Sequence, residues 1–482
     1  VVSGKSLSLN VLAGSGATFT VNITRSNGFE GPVKLEVPEA PGFHFEFPQA
    51  ELSGAGDFNV IAKTDETVQP GTYPVVIVGK GGGLERSTSL RLTVQSPSAQ
   101  KGVPRALGDL RTPVFQPKGA VDPSGGLHVV YFADNDLREL RYVRYRNGIA
   151  ESSSLVARVP NSTTVITNHS MGIDGSGNIY VIWRQIEQDT RIYNILMARS
   201  NDSGATFLEP VSITKNATSR VLFYTPVMAI SKSGSLNVAF EQWDRNSGLD
   251  DIYFTQSQDG VAFSTKVNIS QSPAPYPTAA GVSPAIAVDT NGVVHIAYRF
   301  STRGAGDIFV SRSSDGVTFS KPLNASVSDF IQTGLAVANP ALQVDAAGNL
   351  SLAYLGWEED RLDPDVYVTR SADGTFSKPV VAARSDESGI MAAPPKMAID
   401  AAGDFGIVWP ALVSGLLFPG GRDVIFCRSQ NAGQTFSRAA NVSNNIGHQR
   451  IYPEIITDEG GRFLLLWEDE TGGNSQLYIL SP

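Results

Sequence analysis

The sequence predicts an all-β chain in two parts: a small sandwich, then a closed ring of repeated four-stranded sheets. Three observations predict it. Short runs of alternating polarity fill the first hundred residues, a self-similar pattern takes over after that, and 47 glycines and 28 prolines punctuate both. With 482 residues, 41% of them hydrophobic and 18% charged, the chain has the composition of a folded protein of two or more domains. A net charge of −9 without a long basic run excludes a nucleic-acid footprint, and no apolar run reaches membrane-spanning length.

Residues 1–97 read as six strands, at 6–11, 17–23, 33–37, 58–62, 73–78 and 87–94. Their period-two alternation buries one face and wets the other. Residues 98–104 form a polar, aperiodic linker, and 105–482 form the ring. The chain opens on Val1 rather than Met, as a mature or trimmed form would.

Six of the seven repeats start with Pro, and His169 stands in its place in the other; an apolar strand and Asp (Ser231 in one copy) come next, followed by a glycine turn and a second apolar strand that often ends in an aromatic residue. The markers are Asp122, Asp174, Ser231, Asp289, Asp345, Asp400 and Asp458, spaced by 52 to 58 residues. That length holds four short strands and their turns, one blade of a β-propeller, and seven markers predict seven blades. The last unit ends after its third strand. Residues 105–112 are therefore expected to supply its outermost strand beside 476–480 and to close the ring.

Between third and fourth strands stand Ser200-Asn-Asp-Ser-Gly-Ala-Thr-Phe207 and Ser429-Gln-Asn-Ala-Gly-Gln-Thr-Phe436. Shorter versions hold Asp259, Asp315 and Asp373. Asp or Asn is suited to bond nearby backbone N–H groups while Gly takes positive φ, so Asp202, Asp259, Asp315, Asp373 and Asn431 are read as structural. These motifs resemble the Asp boxes, or bacterial neuraminidase repeats, of sialidases. Segments 13–21, 28–35 and 69–79 resemble the immunoglobulin-like modules of bacterial secreted and surface proteins. The resemblances imply an immunoglobulin-like β-sandwich joined to a seven-bladed Asp-box propeller, exported to the cell surface or beyond.

The loops joining second to third strands carry acid–Arg pairs, and an Asp opens the third strand at Asp251, Asp307, Asp365 and Asp423. Residues repeated in this way are expected to hold neighbouring blades together. A ligand site is expected where the repeat breaks, at His169, Arg220, Tyr224, Tyr276, His448, Arg450 and Tyr452. For sialidase-like catalysis the resemblance points to Arg111, Asp134, Arg450, Tyr452 and Glu454, with arginines holding a substrate carboxylate, a Tyr–Glu pair as nucleophile and an Asp as acid. Arg111-Thr-Pro113 departs from the Arg-Ile-Pro motif, seven blades depart from six, and the second and third arginines have no distinct counterparts. No complete sialidase constellation is expected.

No cofactor is expected. Ca²⁺ at Asp360, Asp363 and Asp365 is the one metal left open, without the glycine turn of a known loop. Cys427, the lone cysteine, reads as a buried strand residue. The reading is a secreted or surface protein that binds a glycan or protein through the propeller loops, with a sialidase-like or other exo-glycosidase as the alternative. Self-assembly through the N-terminal module, with residues 1–12 packed on the propeller or on a second copy, is the expected partnership.

Overall fold

The computed structural model describes residues 7–12, 16–25, 29–38, 41–47, 51, 55–65, 68, 71–95, 104–107, 113–134, 136–146, 149–159, 162–215, 217–271, 280–302, 305–326, 337–345, 347–357, 363–372, 374–391, 393–412, 422–443, 449–458, 460–471 and 474–482. The chain divides into two compact units, 1–102 and 103–482. Both are built of β-strands. The one helix among the described residues is the single turn Ser385–Ser388. Among the described residues, no helix is long and apolar enough to cross a membrane.

In the first unit, Leu7–Leu12, Leu84–Gln95, Gly71–Gly81 and Lys34–Glu36 form one sheet, and Gly16–Ile23, Gly56–Thr64 and Phe43–Glu46 form a second. Leu7–Leu12 runs parallel to Leu84–Gln95, with Leu7 opposite Leu90. Alternate residues of both sheets share one core: Val21 and Ile23, Val60 and Ala62, Val75 and Ile77, Leu90, Leu92 and Val94. The strand Phe43–Glu46 was missed in the sequence because it is short and alternates aromatic with charged residues; Phe43 packs on Tyr73 at 4.9 Å.

The second unit is a succession of small antiparallel sheets. Phe115–Val121, Leu127–Phe132, Glu139–Arg146 and Ile149–Arg158 make the first sheet, each strand beside the next. The same up-and-down order starts again at Thr164, Val221, Ala280, Val337, Ile390 and Gln449. Most fourth strands shrink to two residues, as at Val211–Ser212 and Val267–Asn268. The innermost strands touch in sequence, and the last, Gln449–Thr457, returns to the first, Phe115–Val121.

Each sheet is apolar on both faces, and the cores lie between sheets. Val130, Phe132 and Tyr142 of the first pack with Ile179, Val181 and Trp183 of the second. Leu466, Leu477 and Ile479 of the last pack with Val129, Tyr131 and Val143 of the first. Polar contacts join the same two ends. Arg105–Ala106 pairs with Tyr478 and Ile479, Glu468 accepts the Gln116 N–H at 2.5 Å, and Lys118 is ion-paired with Glu454. Of the expected closing strand, 105–106 is formed, and 108–112 lie outside the described residues.

Two sets of turns hold the face opposite the loops. The marker residues seal the hairpin between first and second strands. Asp122 accepts the N–H groups of Ser124 and Gly126 at 2.8 and 2.9 Å, and the pattern recurs at Asp174, Asp289, Asp345 and Asp400. At the next turn, Asp202 accepts the Thr206 N–H at 2.9 Å, and Ser200 Oγ accepts the Gly204 N–H. Asp259 and Asp315 each accept two N–H groups. These turns also dock on the preceding sheet. Tyr142 donates to the Ser203 carbonyl, Gln256 to that of Asp315, and a Cβ on Gly204 would lie 2.1 Å from the Tyr142 ring. Asp373 lies outside the described residues.

Two third-strand aspartates bond within their own sheet. Asp251 accepts from Ser270 Oγ at 2.6 Å and Asn268 Nδ2 at 2.9 Å, and Asp423 does the same with Ser443 and Asn441. Each thereby fastens the short fourth strand of its own sheet.

Bonds from Thr206 and Ser200 hold the Asp202 carboxyl down to about 2. The Ala262 and Val261 N–H groups do the same at Asp259, and those of Thr318 and Val317 at Asp315. A carboxyl depressed on folding stabilises the fold above its unfolded value, near 4, and loses that contribution as pH falls through its folded value. The melting temperature should therefore drop between about pH 4 and pH 2, and the triple variant D202A/D259A/D315A should start lower and fall less steeply. Thermal melts across that range check it.

Candidate functional site

On the loop face, the residue following each second-strand aromatic stands at the seam with the next sheet. In two repeats it is glutamate. Glu241 accepts the Ser283 N–H of the following sheet at 2.7 Å, as Glu468 accepts that of Gln116. Both glutamates are buried. Burial raises the Glu241 carboxyl, and the bonds from Ser283 and Thr225 oppose the rise.

The equivalent residue one repeat earlier is Arg184, on Ile179–Glu187. Its Nε donates to Thr167 Oγ1 at 2.9 Å, and its guanidinium lies 5.1 Å from the Tyr224 ring and 5.8 Å from that of Tyr193. The two tyrosines meet edge to face at 5.4 Å. Half-buried, Arg184 makes no ion pair among the described residues. Its counterpart Arg299, on Val294–Thr302, likewise makes no ion pair among them.

Asp250 borders this group from Leu249–Ser257, opposite Trp243 in the sheet. Burial, with the charges of Glu241 and Asp251, pushes its carboxyl up to about 7. Arg245 covers the Trp243 ring at 5.4 Å. The cluster thus offers a cation against two aromatic rings, a carboxyl able to carry a proton near neutral pH, and an indole.

Among the predicted residues, Tyr224 stands inside this cluster. Arg220 is exposed at its edge, and its carbonyl accepts the Arg245 N–H at 2.9 Å. His169 is buried, 4.8 Å from the Phe132 ring and 3.3 Å from the Val130 carbonyl, and burial drives its pKa down to about 3. Asp134 receives the Arg138 N–H at 2.9 Å within its own loop. Tyr452 is exposed, and Glu454 is paired with Lys118. Arg111, Tyr276, His448 and the side chain of Arg450 lie outside the described residues. Arg111, the first arginine of a sialidase-like set, therefore has no described position, and Arg450 has a described backbone alone.

Sequence reasoning passed over Arg184 and Asp250, although both carried a signal. Arg184 stands where Glu241 and Glu468 stand elsewhere, and Asp250 doubles an Asp that stands singly at Asp307, Asp365 and Asp423. Of the proposed calcium ligands, Asp365 is held by the Ser385 N–H at 2.8 Å and by Arg384, and Asp360 lies outside the described residues. No group of three or more His, Cys, Asp and Glu among the described residues is placed to hold a metal. Cys427 is buried, and burial raises its thiol.

No protein-family model matches the sequence, and no curated protein sequence is similar to it. Solved structures share its fold. The polysaccharide lyase Uly1 superposes with a TM-score of 0.51 at 11% identity, over 78% of this chain and 91% of its own. The α-L-arabinanase of Penicillium chrysogenum, solved with arabinobiose, gives 0.44 at 13% over 79% and 97%. A Trypanosoma rangeli sialidase mutant with trans-sialidase activity gives 0.45 at 13% over 78% and 58%. At 11% identity the likeness to the lyase is one of fold alone.

The raised Asp250 carboxyl has a consequence for stability. A group whose pKa rises on folding favours the folded state below its unfolded value and loses that contribution as pH climbs through its folded value. Between about pH 4 and pH 7 the wild type should lose stability that Asp250→Asn retains, the two diverging by on the order of 1–3 kcal/mol. Urea unfolding at several pH values reads this directly.

Proposed function

We propose that this protein is an extracellular carbohydrate-active protein: an immunoglobulin-like module followed by a seven-bladed Asp-box propeller that takes an acidic glycan on its loop face and cleaves a glycosidic bond there. One observation carries the reading. Arg184, which makes no ion pair among the described residues, lies against the Tyr193 and Tyr224 rings, and Asp250, whose charge acts on Tyr224, has a carboxyl raised to about 7. The guanidinium matches a sugar carboxylate, the rings and Trp243 offer stacking faces, and protonated Asp250 is the acid that a departing sugar oxygen needs. The fold shared with a polysaccharide lyase supports the substrate class. The circle of innermost strands supports the reading of seven blades, and the bonds within the turns at 200–207 and 429–436 support that of Asp boxes.

A second reading, glycan binding without cleavage, is favoured by one feature. Glu241, the nearest named carboxylate, is buried and committed to the Ser283 N–H, so it is poorly placed to serve as nucleophile or base. Surface location and self-association through the N-terminal module complete the proposal.

The test uses the full chain with a panel of acidic and neutral polysaccharides, read by reducing ends and by calorimetry. Arg184→Met should weaken binding of the acidic members at least tenfold, roughly 1.4 kcal/mol. Asp250→Asn should keep binding and lower turnover by about 10²-fold or more. Binding without turnover by the wild type would select the second reading. Equal turnover by wild type and Asp250→Asn would remove Asp250 from the mechanism.

A further inference from the structure

Six innermost strands are bulged at one registered position, and the residue there is left-handed: Gln116 (φ 51°), Asn168 (49°), Thr225 (43°), Ser283 (56°), Asn339 (54°) and Tyr452 (58°). Pairing with the second strand shifts at each of them, for example between Thr167 and Ser170, Tyr224 and Val227, and Ile451 and Glu454. An L-residue is strained in this region, and a β-branched or bulky one such as Thr225 or Tyr452 most of all. Five of the six also precede proline, which pushes its predecessor towards extended backbone.

Glycine would relieve the strain, and the chain uses it freely nearby. The hairpins between first and second strands place Gly125, Gly177, Gly234, Gly292, Gly348, Gly403 and Gly461 at positive φ. At the six bulges no glycine appears, and every residue has a side chain able to form hydrogen bonds. The backbone alone does not demand this. The N–H groups of Gln116 and Ser283, which the neighbouring glutamates cap, would be equally available from glycine. Strain of this kind persists at positions where the side chain serves a use.

The bulges lie in the half of each strand away from the Asp-sealed hairpins, hence towards the loop face. Because the innermost strands follow one another in a circle, the six residues encircle its axis. Asn168 and Tyr452 are exposed, and the other four are half-buried. We propose that the five residues other than Thr225, whose hydroxyl is bonded to Glu241, form a rim that reads the ligand, with Asn168 and Tyr452 as specificity-determining contacts. A circle of amide, hydroxyl and phenol groups suits a ligand dense in hydroxyls, and the Tyr452 ring adds a stacking face. The inference rests on the glycan reading for the ligand's identity and not for the rim itself.

Glycine substitution separates display from structure, because it removes the side chain and the strain together. Tyr452→Gly and Asn168→Gly are compared with Ala432→Gly, which relieves a left-handed residue (φ 56°) on the opposite face. Each full-length variant is melted and titrated with oligosaccharides of polygalacturonate, arabinan and xylan. The rim variants should keep or raise their melting temperature while affinity for the oligosaccharide the wild type binds falls at least tenfold; Ala432→Gly should leave affinity unchanged. A lower melting temperature in both rim variants would make the residues structural and overturn the proposal, as would unchanged affinity at an unchanged melting temperature. Should the wild type bind none of the three, the glycan reading fails, and the melts still decide whether the fold needs these side chains.

Discussion

The second strands of the C-terminal unit are apolar on both faces, and the rest of that unit follows from this constraint. Every residue of Leu127–Phe132 and of Leu350–Gly356 is buried. A sheet built on such a strand must be covered twice, so each sheet needs two neighbours and a linear stack would leave its ends exposed. The chain resolves this by covering the outer face of the first sheet with the last, through Leu466, Leu477 and Ile479.

With the apolar faces committed between sheets, polar groups are left to the two ends. On one end the carboxylates are spent on backbone N–H groups, at Asp122 and Asp202 and their repeats, and those turns brace one sheet against another. On the other end the spending is uneven. Glu241 and Glu468 are consumed by the seams, whereas the same position at Arg184 and Arg299 carries a cation that makes no ion pair among the described residues. A repeating scaffold acquires a site by changing residues at a position whose structural task other copies still reveal.

That logic explains what the sequence showed and what it hid. Strand polarity, marker aspartates and turn motifs are local, and each repeats, so the sheets and their order were legible from spacing. The third-strand aspartates were legible as a repeat but not in role. Whether Asp251 reaches its own fourth strand or the neighbouring sheet depends on side-chain direction across a hairpin, and Ser270 decides it. His169 stood out by replacing proline, yet it lies buried between the first two sheets against Phe132, a packing solution that its polarity disguised. Arg184 and Tyr224 are 40 residues apart in sequence, and their meeting depends on how two sheets are rotated, which spacing does not encode.

The closure of the circle also sets an order of events in folding. The contact between Gln116 and Glu468 spans 352 residues, and that between Ser475 and Val114 spans 361. Sheets in the middle of the chain find their neighbours as soon as they are synthesised, whereas the first sheet waits with one apolar face uncovered until the last arrives. Loop-closure entropy grows slowly with length, so the wait costs time and exposure more than stability. The interval before closure is when this chain is most open to aggregation, and a nascent chain halted before residue 463 would remain in that state.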